Sequence, residues 1–243
     1  MRRQNGKDIC TVDNKLIIGI SGRKQAGKDT TCNFLKEIFS KQYSPEDVTI
    51  HSFATALKRK ICIDVLCLTE EQVFGTDEQK NSLTKYKWDN LPYDIRVRNS
   101  IETIPGTEGA RMPRYGLMTA REVMQVVGTD IFRDYFDQNI WVNSAMNNIE
   151  NSSARVFLFS DVRFPGEADA IIDNGGFVIK LLRDVCELDI HPSESALDDY
   201  DWGRDNCFII DNREMTIEET NDEANRIVLK ILLKQGEDSG VYP

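Results

Sequence analysis

A glycine-containing segment near the start of the chain carries the residue types that bind phosphate groups. Gly22 and Gly27 are separated by four residues, and Lys28 follows directly. Glycines let the backbone curl so that successive amide N–H groups point inward, and a helix beginning near Lys28 would add the positive end of its dipole. This spacing is typical of a phosphate-binding loop (P-loop), in which the lysine reaches the outer phosphates of a nucleoside triphosphate.

The residues after this lysine depart from the usual P-loop pattern. A serine or threonine normally follows the lysine and binds Mg²⁺, whereas here Asp29 separates Lys28 from Thr30. Either the Thr30 hydroxyl binds the metal or Asp29 binds it through water, and the sequence leaves both open. The residues expected to contact the triphosphate and its metal are Gly22, Lys24, Gly27, Lys28, Asp29 and Thr30.

The elements on both sides of this segment are those that a P-loop requires. Residues 15–21 form a continuous apolar run, which predicts a strand buried on both faces. After the glycines, Cys32, Leu35 and Phe39 recur at helical spacing, which predicts an amphipathic helix. A strand, a glycine turn and a helix therefore open the fold.

The rest of the chain alternates between strand and helix patterns. Further strands are predicted at residues 48–53, 156–161, 177–182 and 208–210. Helices are predicted at residues 54–66, from a capping box at Thr119 to Gly128, at 141–149, at 167–174, and from a second capping box at Thr216 onward. The alternation predicts an α/β fold of the P-loop NTPase class, with a parallel sheet and helices on both faces.

The domain organisation follows from the places where these patterns are interrupted. One P-loop domain is predicted over residues 15–234, with a flexible extension at 1–14 and a flexible tail at 235–243. Residues 69–118 lose the periodicity and contain several prolines and glycines. Since a structureless loop of this length is unusual, we expect an inserted subdomain that folds over a ligand or contains short helices.

Composition and charge exclude several classes of function. The 40 acidic and 30 basic residues give a formal charge of −10, which repels a nucleic-acid backbone or an anionic membrane. No window approaches the roughly 18 to 20 apolar residues of a bilayer span, and residues 1–14 lack the apolar stretch of a secretory leader. We therefore expect a cytoplasmic protein, in the host cytoplasm if it is viral, with no nucleic-acid or membrane partner.

Two other classes of P-loop protein match the sequence less well. Regulatory GTPases read guanine with an Asn-Lys-x-Asp segment in the second half of the chain, whereas Asn14 and Lys15 precede the first strand here. Motor and helicase ATPases usually end an apolar strand with consecutive acids, but Asp161 here follows Ser160. A single P-loop in a short chain favours a small-molecule phosphotransferase.

Four motifs together resemble one family of phosphotransferases. They are the Gly-Lys-Asp-Thr-Thr end of the P-loop, Gln125 to Asp130, Phe136 to Val142, and Asp161-Val162-Arg163 with Glu167. These motifs are similar to those of the deoxynucleoside monophosphate kinases of tailed bacteriophages, over residues 16–231, and the match is weakest at 69–117. The resemblance implies transfer of the γ-phosphoryl group of ATP, with Mg²⁺, to a deoxynucleoside 5′-monophosphate. It is also compatible with a homodimer, although no exposed apolar stripe in the sequence requires one.

The resemblance also implies roles for the cluster after the predicted strand at 156–161. Arg163 would bind the acceptor phosphate, while Asp161 and Glu167 would bind the sugar hydroxyl or a metal-bound water. Ion pairing among these three residues is the alternative. Lys28, Asp161, Arg163 and Arg183 are the residues implied to be catalytic.

A second set of residues, in the segments before and after the inserted subdomain, would bind the acceptor. Lys58 is implied to face the monophosphate, although it could lie on a solvated helix face. Arg121 and Gln125 are four residues apart, so they share one face of the capped helix. They are implied to bind the acceptor, and a surface salt bridge is the alternative for Arg121.

Three further residues of this set could bind the acceptor or have a purely structural role. Gly128 and Thr129 would form a turn whose backbone approaches the acceptor, or Gly128 could simply end the helix. Trp141 is implied to form an aromatic wall near the base, and an ordinary core tryptophan is the alternative.

The segment at residues 184–205 resembles the lid of monophosphate kinases. A lid closes over the site and excludes water. Arg183, directly before this segment, would stabilise the transferring phosphoryl group, and a plain surface arginine is the alternative. His191 would have a functional role in the lid or would simply be a solvated histidine. Asn212, after the last predicted strand, would border the adenine or serve a turn.

Two other functions remain compatible with the sequence. One is a P-loop kinase with a different acceptor, such as phosphomevalonate or dephospho-coenzyme A, and the other is a nucleotide-sensing module without turnover. Trp141 and residues 128–130 favour a nucleotide acceptor, while Lys28, Asp161 and Arg163 together favour catalysis.

Overall fold

A computed structural model describes residues 15–100, 102–107, 109–183 and 195–239. The chain divides into two compact units. Unit 1 contains the described residues up to Phe53 and from Val142 onward, and unit 2 is Ala54–Trp141. The predictions for residues 1–14 and for His191 lie outside the described residues.

The chain alternates strands and helices, as predicted. In chain order the strands are β1 (Leu16–Gly22), β2 (Val48–His51), β3 (Leu83–Lys87), β4 (Leu117–Thr119), β5 (Val156–Val162), β6 (Phe177–Leu181) and β7 (Cys207–Ile210). The helices are α1 (Lys28–Gln42), π1 (Ala56–Val65), α2 (Glu70–Phe74), α3 (Asp77–Lys80), α4 (Tyr93–Arg98), α5 (Ala120–Gln125), π2 (Val126–Arg133), α6 (Ile140–Glu150), α7 (Pro165–Asp173) and α8 (Ile217–Ser239).

Unit 1 is built on a five-stranded sheet in the order β2-β5-β1-β6-β7. All four pairings are parallel. β1 therefore lies in the middle, between β5 and β6, and its carboxyl end leads into the P-loop segment. In open parallel sheets ligands gather at the carboxyl ends of the strands, so this arrangement positions the site.

Apolar cores cover both faces of this sheet. On one face Ile18 and Ile20 of β1 pack with Leu35 and Phe39 of α1 and with Val228 of α8. On the other face the core is Ile17, Phe157, Phe159, Ile149 and Ile171, from β1, β5, α6 and α7. Because β1 and β5 are buried on both sides, their sequences are nearly continuous apolar runs. The predicted fold class, a parallel sheet with helices on both faces, is confirmed.

Unit 2 contains the residues that the sequence left without periodicity. Its antiparallel pair of strands, β3 and β4, accompanies short helices around a core that includes Trp88, Ile95, Val123 and Val126. Capping boxes at Thr69 and Thr76 start α2 and α3. Residues 69–118, predicted to be an inserted subdomain, lie within this larger unit.

The helix predicted to stop at Gly128 continues instead. α5 passes directly into π2, and Gly128 is buried inside that π-helix. A Cβ atom at this position would lie 2.5 Å from Cδ2 of Leu57, so glycine here permits close packing. The predictions of a helix stop and of a turn at Gly128 and Thr129 are therefore wrong.

The last helix continues into the tail at 235–243, whose flexibility remains a prediction. α8 runs to Ser239, so the tail expected to be flexible from residue 235 is helical over its first five residues. Among the described residues, no helix is long and apolar enough to cross a membrane.

Candidate active site

The P-loop segment connects β1 to α1 with the backbone that its glycines predict. Gly27 is the N-cap of α1 and has a φ of 98°, in the left-handed region that favours glycine. No heavy atom lies within 4 Å of the position of its missing Cβ. Backbone conformation, and not crowding, therefore explains glycine at this position.

The side chain of Lys28 is buried at the base of the loop. It is 9% exposed, and its Nζ donates to the carbonyl oxygens of Gly22 at 2.7 Å and Arg23 at 2.9 Å. The same Nζ lies 3.8 Å from Oδ1 of Asp161, at the end of β5. The lysine is thus held between the loop and the neighbouring strand, where a phosphate could replace the carbonyl contacts.

Asp161 brings the predicted cations of the two motifs together. Arg163 Nε donates to Asp161 Oδ2 at 2.7 Å, and Lys28 approaches the other carboxylate oxygen. The predicted cluster is therefore assembled around one carboxylate, through the ion pairing that the sequence offered as an alternative. Asp161 Oδ1 is buried and accepts no hydrogen bond from the described residues.

The oxygen groups near Lys28 fit the requirements of Mg²⁺. This ion prefers oxygen ligands and usually combines one or two protein carboxylates with waters and substrate phosphates. Asp161 Oδ1 is a buried carboxylate oxygen without a hydrogen bond, and Asp29 and Thr30 are exposed in the first turn of α1. No cluster of three His, Cys, Asp or Glu side chains that could hold a metal occurs in the described ranges.

Glu167 has a structural role that the sequence did not predict. Its side chain is 4% exposed, and Oε2 accepts from the backbone N–H groups of Arg163 at 2.8 Å and Phe164 at 3.2 Å. These contacts cap the start of α7 and hold the backbone of Arg163 in place. A contact between Glu167 and a sugar remains a prediction.

A cavity of about 120 Å³ opens at the carboxyl ends of β1, β5 and β6. Three of its lining residues are cations, Arg23, Arg163 and Lys180, and one is an acid, Asp198. Arg23 Nη2 and Asp198 Oδ2 form an ion pair at 3.0 Å. The remaining lining residues are Ser21, Gly22, Val162, Leu181, Leu182 and Leu197. The excess of cations makes this cavity suited to an anion.

Arg183 and Asn212 are joined by hydrogen bonds beside the P-loop. The Arg183 guanidinium donates to the backbone oxygens of Asn212 and Met215. Asn212 is 1% exposed, its Oδ1 accepts from the Arg183 backbone N–H at 2.9 Å, and its Nδ2 donates to Ala26 O at 3.0 Å. Asn212 therefore braces the P-loop. The roles predicted for these residues toward the transferring group and adenine remain predictions.

The described part of the predicted lid packs within unit 1. Leu197 is 6% exposed within the second apolar core, and Trp202 Nε1 donates to its carbonyl oxygen at 3.1 Å. The Tyr200 hydroxyl donates to Asp169 Oδ1 at 2.8 Å. Residues 184–194 of that lid lie outside the described residues.

The acceptor residues predicted in unit 2 make contacts of their own. Lys58 Nζ lies 5.3 Å from the centre of the Phe74 ring. Arg121 donates to Asp77 at 2.6 Å and to Asn81 at 3.1 Å, which is the surface pairing that the sequence left open. Gln125 and Thr129 are exposed. Binding of an acceptor by these residues remains a prediction.

Trp141 has a packing role within unit 2. It is 5% exposed, its Nε1 donates to Gly128 O at 2.9 Å, and its ring lies 5.2 Å from that of Phe132. Both its apolar ring and its polar N–H are therefore occupied, as in a core tryptophan. The predicted contact with a base remains a prediction.

Sequence reasoning missed an acid in the same unit. Asp130 is 6% exposed, and its carboxylate accepts from Arg98 at 3.2 Å and from Asn99 at 2.8 Å. The signal that could have found it is a charged residue within the apolar run 126–132. Buried charges of this kind are retained where they have partners.

A parallel sheet with a P-loop after its central strand, and with cations at the strand ends, defines a P-loop phosphotransferase. A family model described as deoxynucleotide monophosphate kinase matches residues 110–222. The chain is also 32% identical over 197 residues to a protein of Acanthamoeba polyphaga mimivirus that carries the name of a deoxynucleotide monophosphate kinase. That match covers 75% of this chain and 82% of the viral protein. The chain belongs to the deoxynucleotide monophosphate kinase family, and the predicted family is confirmed.

Proposed function

We propose that this enzyme transfers the γ-phosphoryl group of ATP to a deoxynucleoside 5′-monophosphate, giving the diphosphate and ADP. One observation supports this most strongly: Lys28 of the P-loop and Arg163 of the β5–α7 turn meet at the same carboxylate, Asp161. A cation for the donor and a cation for the acceptor are thereby adjacent. A module that only senses a nucleotide would need the first of these and not the second.

Catalysis would depend on positioning and charge, without a covalent nucleophile. Two highly charged phosphates must be held in line while their repulsion is offset. Lys28 would exchange its contacts with the carbonyl oxygens of Gly22 and Arg23 for the outer phosphates of ATP. Arg163 would bind the phosphate of the acceptor, and Glu167 would keep the backbone of Arg163 in position.

Asp161 would be the group that holds the two cations beside each other and orients them. Its Oδ2 accepts from Arg163, which leaves Oδ1 directed toward Lys28. Asp161, Asp29 and Thr30 would hold Mg²⁺, which when bound would offset the negative charge of the phosphates. Asn212 would maintain the loop that receives ATP through its hydrogen bond to Ala26 O.

The predicted set in unit 2 would also contact the acceptor, with Lys58 facing its phosphate and Trp141 near its base. Lys58, Arg121, Gln125, Thr129 and Trp141 are the proposed contacts. For Arg121 this requires exchange of its contact with Asp77, an exposed ion pair of the kind that contributes little to stability.

A panel assay tests the proposed function. The purified protein is incubated with ATP, MgCl₂ and one acceptor at a time, and ADP release is measured. The acceptors are the deoxynucleoside and ribonucleoside monophosphates, phosphomevalonate and dephospho-coenzyme A. We expect release that depends on at least one deoxynucleoside monophosphate. Release only with phosphomevalonate or dephospho-coenzyme A would assign a different acceptor, and no acceptor-dependent release would refute the proposal.

Two variants test the division of roles between the cations. Lys28→Met should lower kcat by about a hundredfold or more because it removes charge stabilisation at the transferring group. Lys41→Met, an exposed lysine at the other end of α1, is the matched control. Arg163→Ala should raise KM for the monophosphate more than KM for ATP, and the reverse pattern would contradict the proposed role of Arg163.

A further inference from the structure

Lys180 lies where the strands of the sheet meet the P-loop, although no motif in the sequence includes it. β6 is otherwise apolar, and Val178, Ile179 and Leu181 are buried. In the parallel registers Ser21 is opposite both Lys180 of β6 and Val162 of β5. Lys180 and Arg163, the residue after Val162, therefore lie on opposite sides of the strand end that begins the P-loop.

The two cations line the same cavity. Lys180 and Arg163 both contribute to the space of about 120 Å³ at the carboxyl ends of the strands, together with Gly22 of the loop. Three cations and one acid line this cavity in a chain whose formal charge is −10. A local excess of positive charge in an acidic protein is suited to a small, strongly charged anion.

Two contacts of the Lys180 ammonium involve partners that a phosphate oxygen can replace. Its Nζ lies 3.5 Å from Leu197 O and 4.7 Å from the centre of the Trp202 ring. Trp202 in turn donates to the same carbonyl oxygen at 3.1 Å, so ring and carbonyl form one orienting support. A carbonyl at this distance and a ring face are weaker partners for an ammonium than a phosphate oxygen is.

We propose that Lys180 is a further phosphate-binding residue of the phosphoryl-transfer site, and that it contacts the phosphate held by Arg163 from the opposite side of the P-loop strand. The inference rests on the proposed function, because that function supplies the phosphate. Trp202 is then a positioning residue, which holds the ammonium at the cavity when no phosphate is bound.

Kinetics of charge-removing variants test this role. Lys180→Met keeps the length of the side chain and should lower kcat/KM for the monophosphate by about 10- to 100-fold. Lys180→Arg should restore part of that loss, and Trp202→Leu should give a smaller loss with Lys180 intact. Lys230→Met, on the exposed face of α8, makes the same charge change away from the cavity and should match the unmodified protein.

A binding measurement keeps the test independent of turnover. Calorimetric titration with sodium pyrophosphate should show weaker binding to Lys180→Met than to Lys230→Met, with both variants folded by circular dichroism. Equal pyrophosphate affinity and equal kcat/KM in these two variants would overturn the role of Lys180 and leave the proposed function intact. If the unmodified protein shows no acceptor-dependent ADP release, the proposed function fails, and the pyrophosphate titration still decides whether Lys180 binds phosphate.

Discussion

Single residues in this protein differ in how firmly their surroundings define a role. The amide of Asn212 has both of its ends occupied, one by Ala26 of the P-loop and one by the backbone of Arg183. Because the residue is 1% exposed, water cannot replace either contact. The shape of the donor loop therefore depends on a side chain that follows β7, far away in the sequence.

Asn212→Leu should destabilise the fold and weaken ATP binding together. The substitution leaves the buried Ala26 O and Arg183 N–H without partners, which costs about 2–4 kcal/mol. Denaturant unfolding and KM for ATP are the measurements, and Asn148→Leu on the exposed side of α6 is the control. An unchanged KM for ATP in a destabilised variant would show that Asn212 supports the fold but not the loop.

The site residues that could be predicted from the sequence are those that lie close together along the chain, within one motif. Gly27 and Lys28 belong to one turn, and Asp161 and Arg163 to another, so local chemistry identified each pair. The structure brings these pairs together. Lys180 could not be assigned in this way, because its role depends on which groups the neighbouring strands bring beside it.

Among the elements, the junction between α5 and π2 shows that a glycine after a helical pattern can either end the helix or allow close packing inside it. Gly128 was predicted to end a helix, yet it lies within one, against the side chain of Leu57 from π1. π-helices are rare and are enriched at functional sites. Both π-helices of the described chain carry residues of the predicted acceptor set, Lys58 in π1 and Thr129 in π2.

Gly128→Ala should destabilise unit 2 through Leu57. The added Cβ would lie 2.5 Å from a methyl group of Leu57, and overpacking of this kind costs about 1–3 kcal/mol. A double-mutant cycle with Leu57→Ala, measured by denaturant unfolding, should recover most of that loss because the clash is gone. Additive losses in the double variant would place the strain elsewhere.

The elements of unit 1 were more predictable than those of unit 2 for a physical reason. Strands buried on both faces leave long apolar runs, and α1 and α8 are long enough to display helical periodicity. In contrast, α2, α3 and α4 have four to six residues each, which is too short for a period to emerge. Their capping boxes at Thr69 and Thr76 were the available signals.

At the scale of the whole molecule, ionisable groups give stability a definite dependence on pH. Burial lowers the pKa of His51 below its ordinary value of 6.5. Hydrogen bonds lower the pKa of several carboxyl groups, through the Gly116 N–H for Asp89 and the Tyr135 hydroxyl for Asp94. In each case the folded state releases its proton more readily than the unfolded chain does, so stability is lost as the pH falls.

The free energy of unfolding should therefore decline in two stages on acidification. Between about pH 7 and about pH 5, the decline should come from protonation of His51, and His51→Gln should reduce it. Below about pH 4, protonation of the carboxyl groups should lower the free energy of unfolding further, and equally in the unmodified protein and in His51→Gln. Urea titrations across this range are the measurement, and an equal loss in both proteins between pH 7 and pH 5, within about 0.3 kcal/mol, would assign the first stage to other groups.

The pair formed by Arg23 and Asp198 bears on which solutes can enter the site. Both residues line the cavity, and the carboxylate already sits where an incoming anion would meet the guanidinium. An exposed ion pair of this kind contributes little to stability, so an anion can displace the aspartate at small cost. A polyphosphate contacts several cations at once, whereas a monovalent ion such as chloride contacts one. Entry to this cavity should therefore favour ions that carry several charges.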